Sequence, residues 1–124
     1  MTAPNIVNVA TITAKTAYVD LSSTNATTVL SNAASSNKVF KVNTCIIANV
    51  DPSNSADITL TINSEDDGGG TAYAIASTVL VPSDSSLVII DGNSKIYLEE
   101  DRSLVATASA ANDLEVIISY EELS

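Results

Sequence analysis

The chain has 124 residues, with 15 acidic side chains against 5 basic ones and a formal charge of −10. That length suits one domain around one core. Five scattered cations cannot neutralise a run of phosphates, and the acidic field repels duplexes and anionic bilayers alike, so neither nucleic acid nor membrane is an expected partner.

No histidine is present, which removes Ser-His-Asp and Cys-His nucleophilic arrangements and ordinary zinc sites. The single cysteine, Cys45, cannot form an intrachain disulfide. Within VNTCIIANV it reads as a small buried hydrophobe. The opening MTAPNIVNV lacks a basic region followed by a long apolar one, and runs such as Leu87-Val88-Ile89-Ile90 are too short to span a bilayer. The expectation is a soluble protein without a signal peptide. Ser and Thr are abundant while Glu, Lys and Arg are scarce, a composition that favours strands over helices.

In chain order, NIVNVATITAKTAYVDL predicts one long strand or two consecutive ones, with residues 1–12 an extended N-terminal arm or the first strand. ATTVLS predicts a short strand, and SNAASSN a polar loop. In KVFKVNTCIIANV the alternation sets Phe40, Val42, Ile46, Ala48 and Val50 against Lys41, Asn43, Cys45 and Asn49. The turn signal DPSNSAD comes next. DITLTIN then places Ile58, Leu60 and Ile62 on one face. Further turn signals come at EDDGGG, VPSDSS, DGN, EDR and SAAND. Between the last of these, SLVATAS aligns Leu104, Ala106 and Ala108, and DLEVIISYEE aligns Leu114, Val116, Ile118 and Tyr120 against Glu115, Ile117, Ser119 and Glu121.

Turns recur every eight to twelve residues or so, as in sandwiches and barrels. The pattern predicts an all-β, antiparallel β-sandwich over residues 1–124, Ig-like or jelly-roll-like, with eight or nine strands and no major helix. A small barrel is the alternative. Ile47, Leu80, Val88, Ile90, Val105 and Ile117 fall on the expected outer faces. They imply either a wider core or an interface between subunits.

Candidate chemistry is sparse. SEDDGGG holds Glu65, Asp66 and Asp67 in succession, so their side chains diverge, and no closing glutamate comes after them at the spacing of a calcium loop. Gly70 precedes Thr71 and Ala72, which rules out a Walker-type ending. The segment reads as a hairpin loop in which glycines supply positive φ and the acids keep the tip solvated. Glu99, Glu100 and Asp101 in YLEEDRSL are neighbours beside Arg102, not carboxylates facing each other across a cleft. With no Trp, and with Tyr18, Tyr73, Tyr97 and Tyr120 all in strand-like runs, there is no aromatic platform for sugars. The expectation is no catalytic, cofactor-binding or metal-binding residue, no cofactor, and no enzymatic activity.

The second half carries a resemblance. Ala48 to Asp51 ends one strand, and Val81-Pro82 with Leu87 form a turn and strand. Asp91, Leu98-Glu99, Asp101, Leu104, Ala106 and Ala108 to Ala110 then form a run of the type D…L-E-x-x-D-x-L-x-A-x-A-S-A, before a closing strand with Tyr120. This succession resembles a small β module of tailed-phage virion proteins. The APNIVNV start and the SNAASSN loop are similar to small virion structural proteins of marine cyanophages. The match is good over residues 40–124 and looser before them. The resemblance implies a β-sandwich, a place in the virion after assembly in the host cytoplasm, and homo-oligomeric assembly. The role expected on this ground is a capsid decoration or cement protein that binds the outer shell and stabilises it. Its partners would be the major capsid protein or other virion proteins. A tail, neck or receptor-binding (adhesin) component on the same sandwich is the alternative.

Overall fold

The computed structural model describes residues 7–124. Nine strands and no helix make up these residues: β1 (Ile12–Asp20), β2 (Thr27–Asn32), β3 (Val39–Asn49), β4 (Ala56–Asn63), β5 (Ala72–Val81), β6 (Ser86–Ile90), β7 (Ile96–Leu98), β8 (Arg102–Ala108) and β9 (Leu114–Leu123). They pair antiparallel throughout, in two sheets ordered β1-β9-β3-β6 and β2-β8-β4-β5. The short β7 continues the β6 side of β3. Successive strands mostly alternate between the sheets, and the last long strands return beside the first. That winding is a jelly roll, not the Ig-like order.

The first strand starts at Ile12; just before it, the amides of Ala10 and Thr11 both donate to the Ser124 carbonyl, at 2.8 and 3.0 Å. The part of the expected N-terminal arm in residues 1–6 lies outside the described residues.

Inward alternation builds the core. From β9 come Leu114, Val116 and Ile118, from β8 Leu104 and Ala106, and from β4 Ile58 and Leu60, all buried as the alternation predicts. Phe40 and Tyr120 close one end with ring centroids 5.2 Å apart. Two buried asparagines join the sheets at their ends. Asn32 Nδ2, on β2, donates to the carbonyls of Lys38 and Leu98, and Asn49 Nδ2, on β3, to those of Asn54 and Val81. The contacts to Leu98 and Val81 are buried, where a carbonyl without a donor would be costly.

The expected facing of β3 needs correction in its second half. The register against β9 shifts between Val42 and Thr44, so Asn43 is an extra residue. A bulge of this kind reverses the side on which all later residues point. Phe40 and Val42 face inward as expected, but beyond the bulge the inward set is Cys45, Ile47 and Asn49, and Ile46 and Ala48 face out. A second shift, opposite Cys45 and Ile46, makes Ile89 the extra residue of β6 and turns Ile90 inward. Ile47 and Ile90 are therefore core residues, not outer-face ones.

Candidate interaction surface

The glycine-rich segment is a β4–β5 hairpin loop, closed by the Ser64 amide donating to the Thr71 carbonyl at 3.0 Å. It is not a free tip. It folds back over the outer face of the second sheet. Ser103 Oγ donates to the Glu65 carbonyl at 2.7 Å and Ser31 Oγ to the Asp66 carbonyl at 2.6 Å. The Asp66 carboxylate accepts from the Ala34 amide, and the Asp66 amide donates to the Asp101 carboxylate. Gly68, with φ of +86°, sits so close to β2 and β8 that a Cβ would run into Thr28 Oγ1 and touch Val105. Val105 points outward by register yet is buried under this loop, which corrects its expected place on an open face.

The other acidic clusters are likewise occupied with loop structure. Glu100 accepts from the Asn37 amide, and the guanidinium of Arg102 is spent on the carbonyls of Ser64 and Asp101. Asp51 Oδ1 accepts from the amides of Ser53 and Asn54, which hold its carboxyl below the ordinary value. Beside it, Asp113 is pushed up by loss of hydration and by the Asp51 charge. Sequence reading missed this pairing because the two lie in different loops. No group of three or more Cys, Asp or Glu side chains is placed to hold a metal ion among the described residues. Cys45 is fully buried, and burial pushes its thiol up to about 12. A cleft of about 340 Å³ beside the loop is lined by Ile62, Asn63, Ser64, Tyr73 and Arg102, with no carboxylate among them.

The first sheet presents something different. Cross-strand partners on its outer face run Tyr18↔Ile117 (β1–β9), Ile117↔Ile46 (β9–β3) and Ile46↔Val88 (β3–β6). One apolar row thus crosses four strands, a span of roughly 15 Å at the usual strand spacing. Tyr18 is 80% exposed, Val88 54% and Ile117 41%. The next row is Thr16, Ser119 and Thr44, without charge; acids appear beyond the row at Asp20 and Glu115 and on the other side at Glu121. A cleft of about 250 Å³, lined by Tyr18, Val19, Asp20, Glu115, Val116 and Ile117, opens at the β1 end of the row.

Of the six outward apolar residues expected from the sequence, the structure leaves Leu80, Val88 and Ile117 exposed and brings the last two into one row. Tyr18 and Ile46 complete it. Sequence reading missed Ile46 because the Asn43 bulge reverses its side; the adjacent polar pair Asn43-Thr44, inside an otherwise alternating run, is the signal that marks the bulge.

No protein-family profile matches this sequence, and no curated protein does. Among solved structures, the chain is similar to a protein from a study of Bacillus endospore appendages, described as a novel family of disulfide-linked pili. The TM-score is 0.53 at 15% sequence identity, over 92% of this chain and 88% of that one. At that identity the likeness concerns the fold, a two-sheet β-sandwich spanning nearly the whole of each chain.

Proposed function

We propose that the protein is a non-enzymatic structural subunit of a virion, a capsid decoration protein that binds the outer shell through the bare face of its first sheet. The observation that carries this reading is the row Tyr18–Ile117–Ile46–Val88. A single-domain protein rarely leaves aligned aromatic and aliphatic side chains in water across an entire sheet unless something covers them. On one side the row meets hydroxyls before the acid Glu121, and on the other it meets Asp20 and Glu115 directly, so its centre is apolar and its rim is polar, as in protein–protein interfaces. The resemblance to cyanophage virion proteins supplies the setting.

The magnitudes favour an assembly over an isolated pair. Fully burying one such side chain contributes about 1.5–3 kcal/mol, so finishing the burial of the exposed fractions adds about 3–5 kcal/mol from this chain's side. Bringing two molecules together costs about 4–15 kcal/mol. One row is therefore marginal alone and becomes effective where many copies bind a repeating lattice. The Bacillus appendage protein is described as disulfide-linked. Here the only thiol is in the core, so subunits of this protein would be held by non-covalent contacts.

Cosedimentation with capsids of the parent phage tests the reading. The wild-type chain should saturate at a fixed ratio to the major capsid protein. Ile117→Asp and Val88→Asp, at exposed positions, should keep the β circular dichroism spectrum and bind at least about tenfold more weakly, a loss of about 1.4 kcal/mol. A wild-type chain that ignores capsids, or variants that bind as tightly, would sink it.

A further inference from the structure

The strand edges of the two sheets are not equally protected. A long exposed edge invites another chain to pair, and proteins blunt such edges with bulges, short strands or charge. β2 has six residues and a register shift between Thr28 and Leu30. β5 shifts register twice and holds Thr78 at a φ of +45°. On the β6 side the edge is broken into five-residue and three-residue strands, with a further shift. β1 has neither a register shift nor a break, and its only charges are Lys15 and Asp20. It runs nine residues, Ile12–Asp20, in unbroken register with β9, without proline or glycine, and its side chains are mostly exposed on both faces.

We infer that β1 is a pairing edge for a second copy of this chain, joining two first sheets antiparallel, β1 against β1, about a twofold axis perpendicular to the sheet. This rests on the proposed structural role and deepens it. Two observations choose a second copy over another partner. First, charge: a molecule of net charge −10 repels its own copy, yet β1 carries only Lys15 and Asp20, and Lys15 is already engaged by Glu122 at 3.1 Å. This edge is locally neutral. Second, continuity: the apolar row of the first sheet ends on β1 at Tyr18. A pairing centred on Ala17 or Tyr18 brings the two Tyr18 side chains to directly or diagonally opposed positions on one face, so the row runs on across both subunits. Either register also keeps Lys15 from facing its own counterpart, and an isologous contact needs no second complementary surface.

Sedimentation at rising concentration, in salt that screens the charge, should give twice the 12.8 kDa mass of the chain. Thr16→Lys, at an exposed edge position, should return the monomer with unchanged circular dichroism. Under copper–phenanthroline oxidation Tyr18→Cys should close into a covalent dimer if the pairing centres on Tyr18, and the double variant Thr16→Cys/Tyr18→Cys if it centres on Ala17, since buried Cys45 does not compete, while Tyr73→Cys on β5 should not. Hydrogen exchange provides a readout without mutation: alternate β1 amides should be protected in concentrated protein and exchange freely on dilution. Val88→Asp should keep the dimer, so a chain that dimerises through β1 but ignores capsids fails only the functional reading. A monomer up to the solubility limit with freely exchanging β1 amides overturns the inference. Crosslinking at Tyr73→Cys in place of the β1 positions does so too, as does β1 protection that appears only with an extended segment of another virion protein.

Discussion

Replacing Gly68 by alanine tests whether the acidic loop is part of the packed structure. Two costs add at that position. Its φ of +86° lies in the left-handed region, where an L-residue pays about 1–2 kcal/mol. The new methyl also runs into Thr28 Oγ1, and forcing an extra carbon into a packed contact costs about 1–3 kcal/mol. Gly68→Ala should therefore destabilise by about 2–5 kcal/mol, a large share of the stability of a domain this size. Urea unfolding followed by circular dichroism measures it.

A double-mutant cycle separates the two terms. In a Thr28→Ala background the obstructing hydroxyl is gone, and the cost of Gly68→Ala should fall to the backbone part alone, about 1–2 kcal/mol. Gly92→Ala is the control: nothing lies within 4 Å of its would-be Cβ, so its effect should be small. If Gly68→Ala costs no more than Gly92→Ala, the loop is not docked on β2 and β8. If its cost is the same with and without the Thr28 hydroxyl, the close approach is not the cause.

Asn49→Ala should cost about 2–4 kcal/mol by the same assay, because the carbonyls of Asn54 and Val81 both lose their donor; a loss under about 1 kcal/mol would mean that water replaces it. Burial pushes the Glu122 carboxyl up, but the hydrogen bonds and charges of Lys15 and Lys38 outweigh it and leave it below its ordinary value of 4.5. The unfolded chain then binds more protons than the folded one as pH falls from there, so this contribution is full above 4.5 and fades through the lower folded value. Glu122→Gln should be less stable than wild type at neutral pH, with the two urea midpoints converging in acid; a constant gap would assign the loss to packing. Cys45 should resist thiol labelling in the native protein and react quickly in denaturant, and fast native labelling would put it outside the core.

The sequence was most legible where strands run without interruption. In β9 and most of β4 period-two alternation separates inside from outside, and the structure agrees with it; in β8 the outward Ser103 and Val105, and at the end of β4 Asn63, are buried as well, under the acidic loop. It was least legible at single inserted residues. Asn43 and Ile89 each reverse the facing of the residues after them, which moved Ile47 and Ile90 to the wrong side and hid Ile46. Nothing in LVII says which residue will be squeezed out of register, because that depends on the partner strand. The docking of the acidic loop was equally hidden. It rests on hydroxyls 35 and 38 residues away in sequence, Ser31 and Ser103, donating to backbone carbonyls, and any serine has the chemistry to do that. The two sheet-joining asparagines look like ordinary loop-flanking residues until the strands are assembled around them.

The two outer faces differ in how they deal with apolar side chains, and the proposed partner surface rests on that contrast. On the second sheet the outward residues of β4 are Asp57, Thr59, Thr61 and Asn63, and the apolar Val105 on β8 is buried beneath the chain's own loop. Holding that loop down takes a left-handed glycine and several side-chain hydrogen bonds for one valine. On the first sheet four aligned apolar residues, one of them an 80% exposed tyrosine, receive no such cover from the described residues. The second sheet's outer face also leaves Leu80 exposed on its edge strand β5, opposite Asp57, but the row across four strands is on the first sheet. On the proposed reading a second molecule covers that row, so Val105→Thr should be felt in the stability of the monomer, whereas Val88→Thr should be felt only in assembly.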